Sequence, residues 1–186
     1  MAGKRIKPVV YTIGHSNRTA EEFIELLHIH GIEQVIDVRT VPKSRYNPQF
    51  EGVALARTLK KQGIAYQRFE ELGGFRRAKK DSTKNSGWRN ASFRGYADYM
   101  STPEFSDGLA HLEAAAHEKV TAFMCAEAVP WRCHRSLIAD ALIVRSWDVF
   151  DITSKSAPKK HKRTPFLRVR KGVLTYPAAQ ASLFST

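Results

Sequence analysis

Both cysteines of the chain fall within one stretch of twelve residues, MCAEAVPWRCHR, Met124–Arg135. The same stretch holds Glu127, Arg132, His134 and Arg135. A thiol beside cations, or at the start of a helix, ionises readily and becomes a nucleophile or sulfur carrier. Cys125 is the first candidate for such a thiolate and Cys133 the second. Glu127 and His134 are residue types that move protons. Arg132 and Arg135 suit forked recognition of phosphate or carboxylate oxygens.

Three other segments carry chemistry-bearing residues: Gly14-His15-Ser16-Asn17; then Arg39, Pro42, Arg45 and Tyr46; then Glu70 with Gly73-Gly74. His15 is a further proton-transfer candidate. Ser16, Asn17, Arg39, Arg45 and Tyr46 join Arg132 and Arg135 as substrate- or anion-binding candidates. His28, His30, His111 and His117 sit inside helical patterns and read as structural or solvated.

Each of the four segments follows a predicted strand. The β-branched and aromatic runs VVYTI (9–13), QVIDV (34–38), IAYQRF (64–69), VTAFMC (120–125) and WDVFDI (147–152) read as five strands. Helical periodicity lies between them. Thr19 with Glu22 has capping-box spacing before EEFIELLHIHG, GVALARTLKKQG ends at a glycine, Pro103 opens a helix to Glu118, and SLIADALIVR follows the cysteine stretch. FLRV and VLTY around RKG form a small hairpin. Strand alternating with helix predicts an α/β fold: a single three-layer, Rossmann-like domain over residues 1–176, with a mostly parallel, doubly wound five-stranded sheet plus a small C-terminal β-hairpin. Residues 177–186 are a tail. Such sheets bind ligands outside the carboxyl ends of their strands, so the four segments are expected to build one pocket.

Residues 70–95 read as a long basic loop, ordered by ligand or mobile, and 153–165 as a basic linker before the hairpin. The formal net charge is +12, and from Ile152 onward there are eight Lys or Arg and no acid. That balance favours nucleic acid or a phosphorylated small molecule as partner. No apolar run reaches the roughly 18 residues of a membrane helix, so no membrane association is expected. No secretory signal is read at the N-terminus, and two cysteines do not make a disulfide framework, which points to the cytoplasm. The oligomeric state is left open.

Several look-alikes narrow the chemistry. Zinc deaminases use a Pro-Cys-x-x-Cys element, whereas Pro130-Trp131-Arg132-Cys133 lacks its first cysteine. Cys125 to Arg132 is Cys-x6-Arg, one residue too long for a Cys-x5-Arg phosphate loop. Cys125, Cys133, His134 and His15 have the ligand types of a zinc site, but Cys-x7-Cys-His is not a usual clip, so no metal and no cofactor is assigned. VIDVR and the strand–cysteine loop–helix unit resemble rhodanese-type sulfurtransferases at the level of fold.

The chain as a whole resembles the family called domain of unknown function 488. The resemblance rests on TIGHSNRT (12–19), IDVRTVPKSRYNPQF (36–50), ELGG (71–74), FRGYADYM (93–100) and CAEAVPWRCHR (125–135), in that order. It implies one α/β domain and brings no reaction with it. Two functions from different classes follow from the residues. One is an enzyme acting on a phosphate- or nucleobase-bearing substrate, DNA or RNA among them, with the 70–95 loop closing over the site and Trp88 and Phe93 stacking on bases. The alternative is a non-catalytic nucleic-acid-binding module built from the basic loop and tail.

Overall fold

The computed structural model describes residues 6–78 and 83–179. The chain runs β1 (Val9–Gly14), α1 (Ala20–Ile29), β2 (Gln34–Asp37), α2 (Gly52–Lys61), β3 (Ala65–Arg68), α3 (Ala91–Tyr99), α4 (Pro103–Glu118), β4 (Thr121–Cys125), α5 (Arg135–Val144), β5 (Asp148–Ile152), β6 (Lys159–Lys160), β7 (Arg168–Arg170) and β8 (Val173–Thr175). The capping box of α1 is formed: Glu22 N donates to Thr19 Oγ1 at 3.2 Å, and Thr19 N donates to Glu22 Oε2 at 2.9 Å. Thr102 caps α4, with Pro103 in its first turn.

The main sheet has the order β3-β2-β4-β1-β5-β6. All neighbours are parallel except β5 and β6. Strand parity divides the core into two halves. Val10, Ile36, Phe123 and Cys125 pack with Tyr96, Leu112 and Leu137, under α3, α4 and α5. Ile13, Val35 and Met124 pack with Phe23, Leu27 and Leu55, under α1 and α2. The protein is thus a three-layer α/β fold. β4 lies between β1 and β2, yet it feeds α5 on one face while β1 and β2 feed α1 and α2 on the other. Connections that part in this way open a crevice at the carboxyl ends of those strands.

The structure differs from the sequence reading at three places. The sheet has six strands, not five, because Lys159–Lys160, inside the expected linker, pairs with β5. His161 N donates to Val149 O at 2.8 Å, and the His161 ring meets Asp151 at 2.9 Å, which docks this segment on the edge. Lysines on an edge strand also deter pairing with other chains.

The 70–95 loop ends earlier than expected, because α3 starts at Ala91 under an Asn90 cap. Its second half is fixed from inside. Asn85 is buried, donating to Asp98 Oδ1 at 2.8 Å and accepting from Tyr176 N at 2.9 Å. Trp88 packs against Phe93 at 4.7 Å and Phe166 at 4.9 Å, so it is part of the core rather than a base-stacking platform. Lys79 and Lys80 of this loop, and residues 180–186 of the tail, lie outside the described residues. Among the described residues no helix is long and apolar enough to cross a membrane.

Candidate active site

The crevice holds a cavity of about 750 Å³, lined by residues that follow four different strands. Of the residues singled out in the sequence, His15, Ser16, Arg39, Cys125, Glu127, Arg132, Cys133 and His134 face it. Asn17 does not; it lies in a separate depression with Arg18 and Glu22. Arg45 and Tyr46 are exposed outside the cavity, Tyr46 at 88%. Arg135 is buried at 1% exposure, with Nη1 donating to Thr12 Oγ1 at 2.7 Å and Nη2 donating to the Glu127 carbonyl. It therefore ties the cysteine loop to β1 instead of presenting a fork to ligand. The first turn of α5 faces the sheet, which is why the side chain points inward.

The floor of the cavity is a sulfur and imidazole cluster. Cys125 ends β4 on the face that α5 covers, and the loop folds back through a short turn at Pro130–Arg132, bringing Cys133 and His134 against it. The ligand atoms of Cys125, Cys133 and His134 all lie within 4.8 Å of one another, so these three residues could hold a metal ion. The seven residues between the cysteines double back through Pro130–Arg132, so the two sulfurs meet despite their long spacing in sequence. His15, the fourth ligand type considered, is not in the group.

His134 is held firmly. Its Nε2 donates to the Val38 carbonyl at 3.0 Å, which leaves Nδ1 as an acceptor 3.6 Å from Cys133 Sγ. Tyr96 packs against its ring at 4.9 Å. Gly74 lies flush on it: a methyl group there would stand 2.4 Å from Nδ1. The Cys125 side chain donates toward Cys133, and this bond draws the Cys133 thiol well below its usual range against the opposing effect of burial. The same bond, with burial behind it, pushes Cys125 well above that range. Among the described residues both cysteines are free.

The wall beside the floor is a buried ion pair. Arg39 Nε contacts Asp37 Oδ1 at 2.9 Å, Nη2 contacts Oδ2 at 2.6 Å, and the Tyr66 hydroxyl donates to Oδ2 at 2.7 Å. The guanidinium is thus engaged by Asp37 while it lines the cavity. Its Nη1 donates to His15 Nε2 at 3.3 Å, while His15 Nδ1 donates to the Ser16 carbonyl at 2.7 Å. Both ring nitrogens of His15 are engaged, and the ring stacks on Phe50 at 4.3 Å. Burial pushes its pKa down to about 4, against the pull of the Ser16 carbonyl, and Arg39 deepens the fall. His15 is therefore neutral near pH 7, with both ring nitrogens hydrogen-bonded.

That shift has a consequence for stability. Unfolded His15 takes up a proton near its ordinary 6.5, whereas the folded residue resists until about 4. The unfolded state binds more protons across this window. The stabilisation is present above pH 6.5 and is lost as pH falls toward 4, by on the order of 3 kcal/mol. Urea unfolding at several pH values should show this slope, and His15→Gln should flatten it.

Sequence reasoning missed Lys43, Ser44 and Asn47 after β2, and Asn90 and Ser92 at the start of α3, all of which line the cavity. The first three sit in the loop already flagged beyond a strand end. Asn90 carries a recognisable signal too, as an Asn two and three residues ahead of the Ser92 and Phe93 amides it caps. The N-termini of both α3 and α5 meet this cavity, which gives it positive potential. Exposed Lys43 and Arg132, with Phe75 at 79% exposure, add cations and an aromatic face.

Comparison with curated proteins and with solved structures finds no match. The family model described as domain of unknown function DUF488 matches residues 19–142, which contain the strand-end loop after β2, the ELGG turn, the α3 segment and the whole cysteine stretch. Two-thirds of the chain is covered, and the protein belongs to the DUF488 family.

Proposed function

We propose that this protein is an enzyme acting on a phosphate- or nucleobase-bearing substrate, DNA or RNA in preference to a small metabolite, in the cytoplasm. The observation that carries the proposal is the convergence of chain-distant strand ends on one cavity whose floor holds Cys125, Cys133 and His134. Substrate phosphate is drawn by Arg132, Lys43 and two helix N-termini. Phe75 and Phe93 offer faces to a base. The reaction is centred on the sulfur and imidazole floor, with Glu127 on the wall as proton acceptor. A purely binding module would need the cations and aromatics but not this floor.

The test is to incubate the protein with single-stranded oligonucleotides and follow substrate mass. Cys133→Ser and Glu127→Gln should each lower conversion by roughly 100-fold or more with binding retained. The double change Lys43→Ala with Arg132→Ala should weaken binding and flatten its salt dependence. Conversion that is absent in the parent protein, with binding unaffected by any cavity substitution, establishes the binding module instead.

A further inference from the structure

We infer that Cys125, Cys133 and His134 form a binding site for one soft divalent metal ion of the zinc class, with its fourth position open to the cavity. The distances already suit such an ion. A tetrahedral zinc bound at about 2.3 Å to sulfur and 2.0–2.1 Å to nitrogen holds those two atoms about 3.6 Å apart. Cys133 Sγ and His134 Nδ1 are 3.6 Å apart, and Cys125 Sγ completes a triangle no wider than 4.8 Å.

The surroundings of the histidine fit as well. Metal-ligating histidines anchor their other ring N–H on a carbonyl or carboxylate, which fixes the tautomer. His134 does this with Nε2 on the Val38 carbonyl at 3.0 Å, leaving the Nδ1 lone pair for the ion. Tyr96 and Gly74 both pack against the ring. Two sulfurs and an imidazole select zinc over magnesium or calcium, which prefer oxygen.

All three residues face the same cavity, and His15 contributes no fourth protein ligand because both of its nitrogens are engaged. Three protein ligands with an open position is the pattern of catalytic rather than structural zinc. Glu127 lines the cavity two residues beyond Cys125, where a carboxylate can accept a proton from metal-bound water. The binding site stands on these side chains alone. That the ion serves a reaction rests on the active-site reading above.

The experiment is an anaerobic titration of reduced, chelator-treated protein with Co²⁺, followed by displacement with Zn²⁺. The expected result is the intense visible spectrum of tetrahedral cobalt with thiolate ligands, saturating at one equivalent and bleached by zinc. Cys125→Ser, Cys133→Ser and His134→Ala should each weaken affinity by about 100-fold or more. Gly74→Ala displaces the ring without removing a ligand, so it should weaken affinity by about tenfold while circular dichroism shows the variant folded at the titration temperature. A missing tetrahedral spectrum, or one that survives in Cys133→Ser, overturns the site. Tight zinc binding in a protein that converts no oligonucleotide leaves the metal site standing and removes the active-site reading; conversion without zinc binding does the reverse.

Discussion

Asp37→Ala is expected to destabilise the protein by roughly 3–5 kcal/mol, the largest effect of any single side chain in the site. Asp37 is fully buried, and its carboxylate is the only acidic partner that the described ion pairs give Arg39. Removing it leaves a guanidinium at 5% exposure with its charge uncompensated, and it orphans the Tyr66 hydroxyl. A charge stranded in the interior costs far more than the intact pair contributes. Urea denaturation of parent and variant measures the loss, and a change below about 1 kcal/mol would show that water reaches Arg39 and that the pair is not a structural wall. Arg39→Met together with Asp37→Ala should recover much of the loss, since replacing both partners by apolar groups removes the stranded charge.

Gly14→Ala should be nearly as damaging, by about 3 kcal/mol, and it acts on geometry rather than charge. A methyl group at Gly14 would sit 1.8 Å from the Glu127 carbonyl oxygen and 2.9 Å from Arg135 Nη2. The first of these is backbone and cannot step aside. β1 and the cysteine loop would have to part, breaking the bonds from His15 N to Cys125 O at 3.0 Å and from Ser16 N to Ala126 O at 2.8 Å. Thermal unfolding should fall by roughly 6–12 °C for a chain of this size. The cavity should open at its floor, so the variant should also lose cobalt binding even under conditions where it remains folded. A variant that melts with the parent would mean the β1–β4 contact is looser than described.

Much of this arrangement is legible in the sequence because it follows from period and topology. Strand runs separated by amphipathic helices fix the parallel sheet, and a parallel sheet puts the residues after β1, β2, β3 and β4 on one edge. His15, Arg39, Gly74 and the cysteine stretch meet for that reason. What stays hidden is which polar groups are used up inside the protein. Arg39 and Arg135 look like ligand-binding cations until Asp37, Thr12 and the Glu127 carbonyl are seen to occupy them. His15 looks like a free imidazole until Arg39 and Ser16 are seen to engage both nitrogens. Trp88 looks like a base platform until Phe93, Phe166 and Tyr176 surround it. Arg135 with Thr12, Arg39 with His15, and Trp88 with Phe166 and Tyr176 are far apart in the chain, while Asp37 with Arg39 and His15 with Ser16 are near neighbours whose pairing depends on how the fold buries and turns them. The closeness of Cys125 and Cys133 is hidden for a different reason: it depends on a fold-back at Pro130, not on the count of residues between them.

Substrate bound in the cavity at the carboxyl edge of the sheet should shield the cavity floor from small reagents. Chelator-treated, reduced protein is alkylated with a small reagent at fixed pH, with and without a single-stranded oligonucleotide at saturating concentration, and the modified cysteines are read by mass spectrometry. Cys133 should be modified several-fold more slowly with oligonucleotide bound, and Lys43→Ala with Arg132→Ala should abolish the protection. An oligonucleotide that binds fully and leaves the Cys133 rate unchanged would place nucleic acid elsewhere on the protein and rule out this cavity as its site.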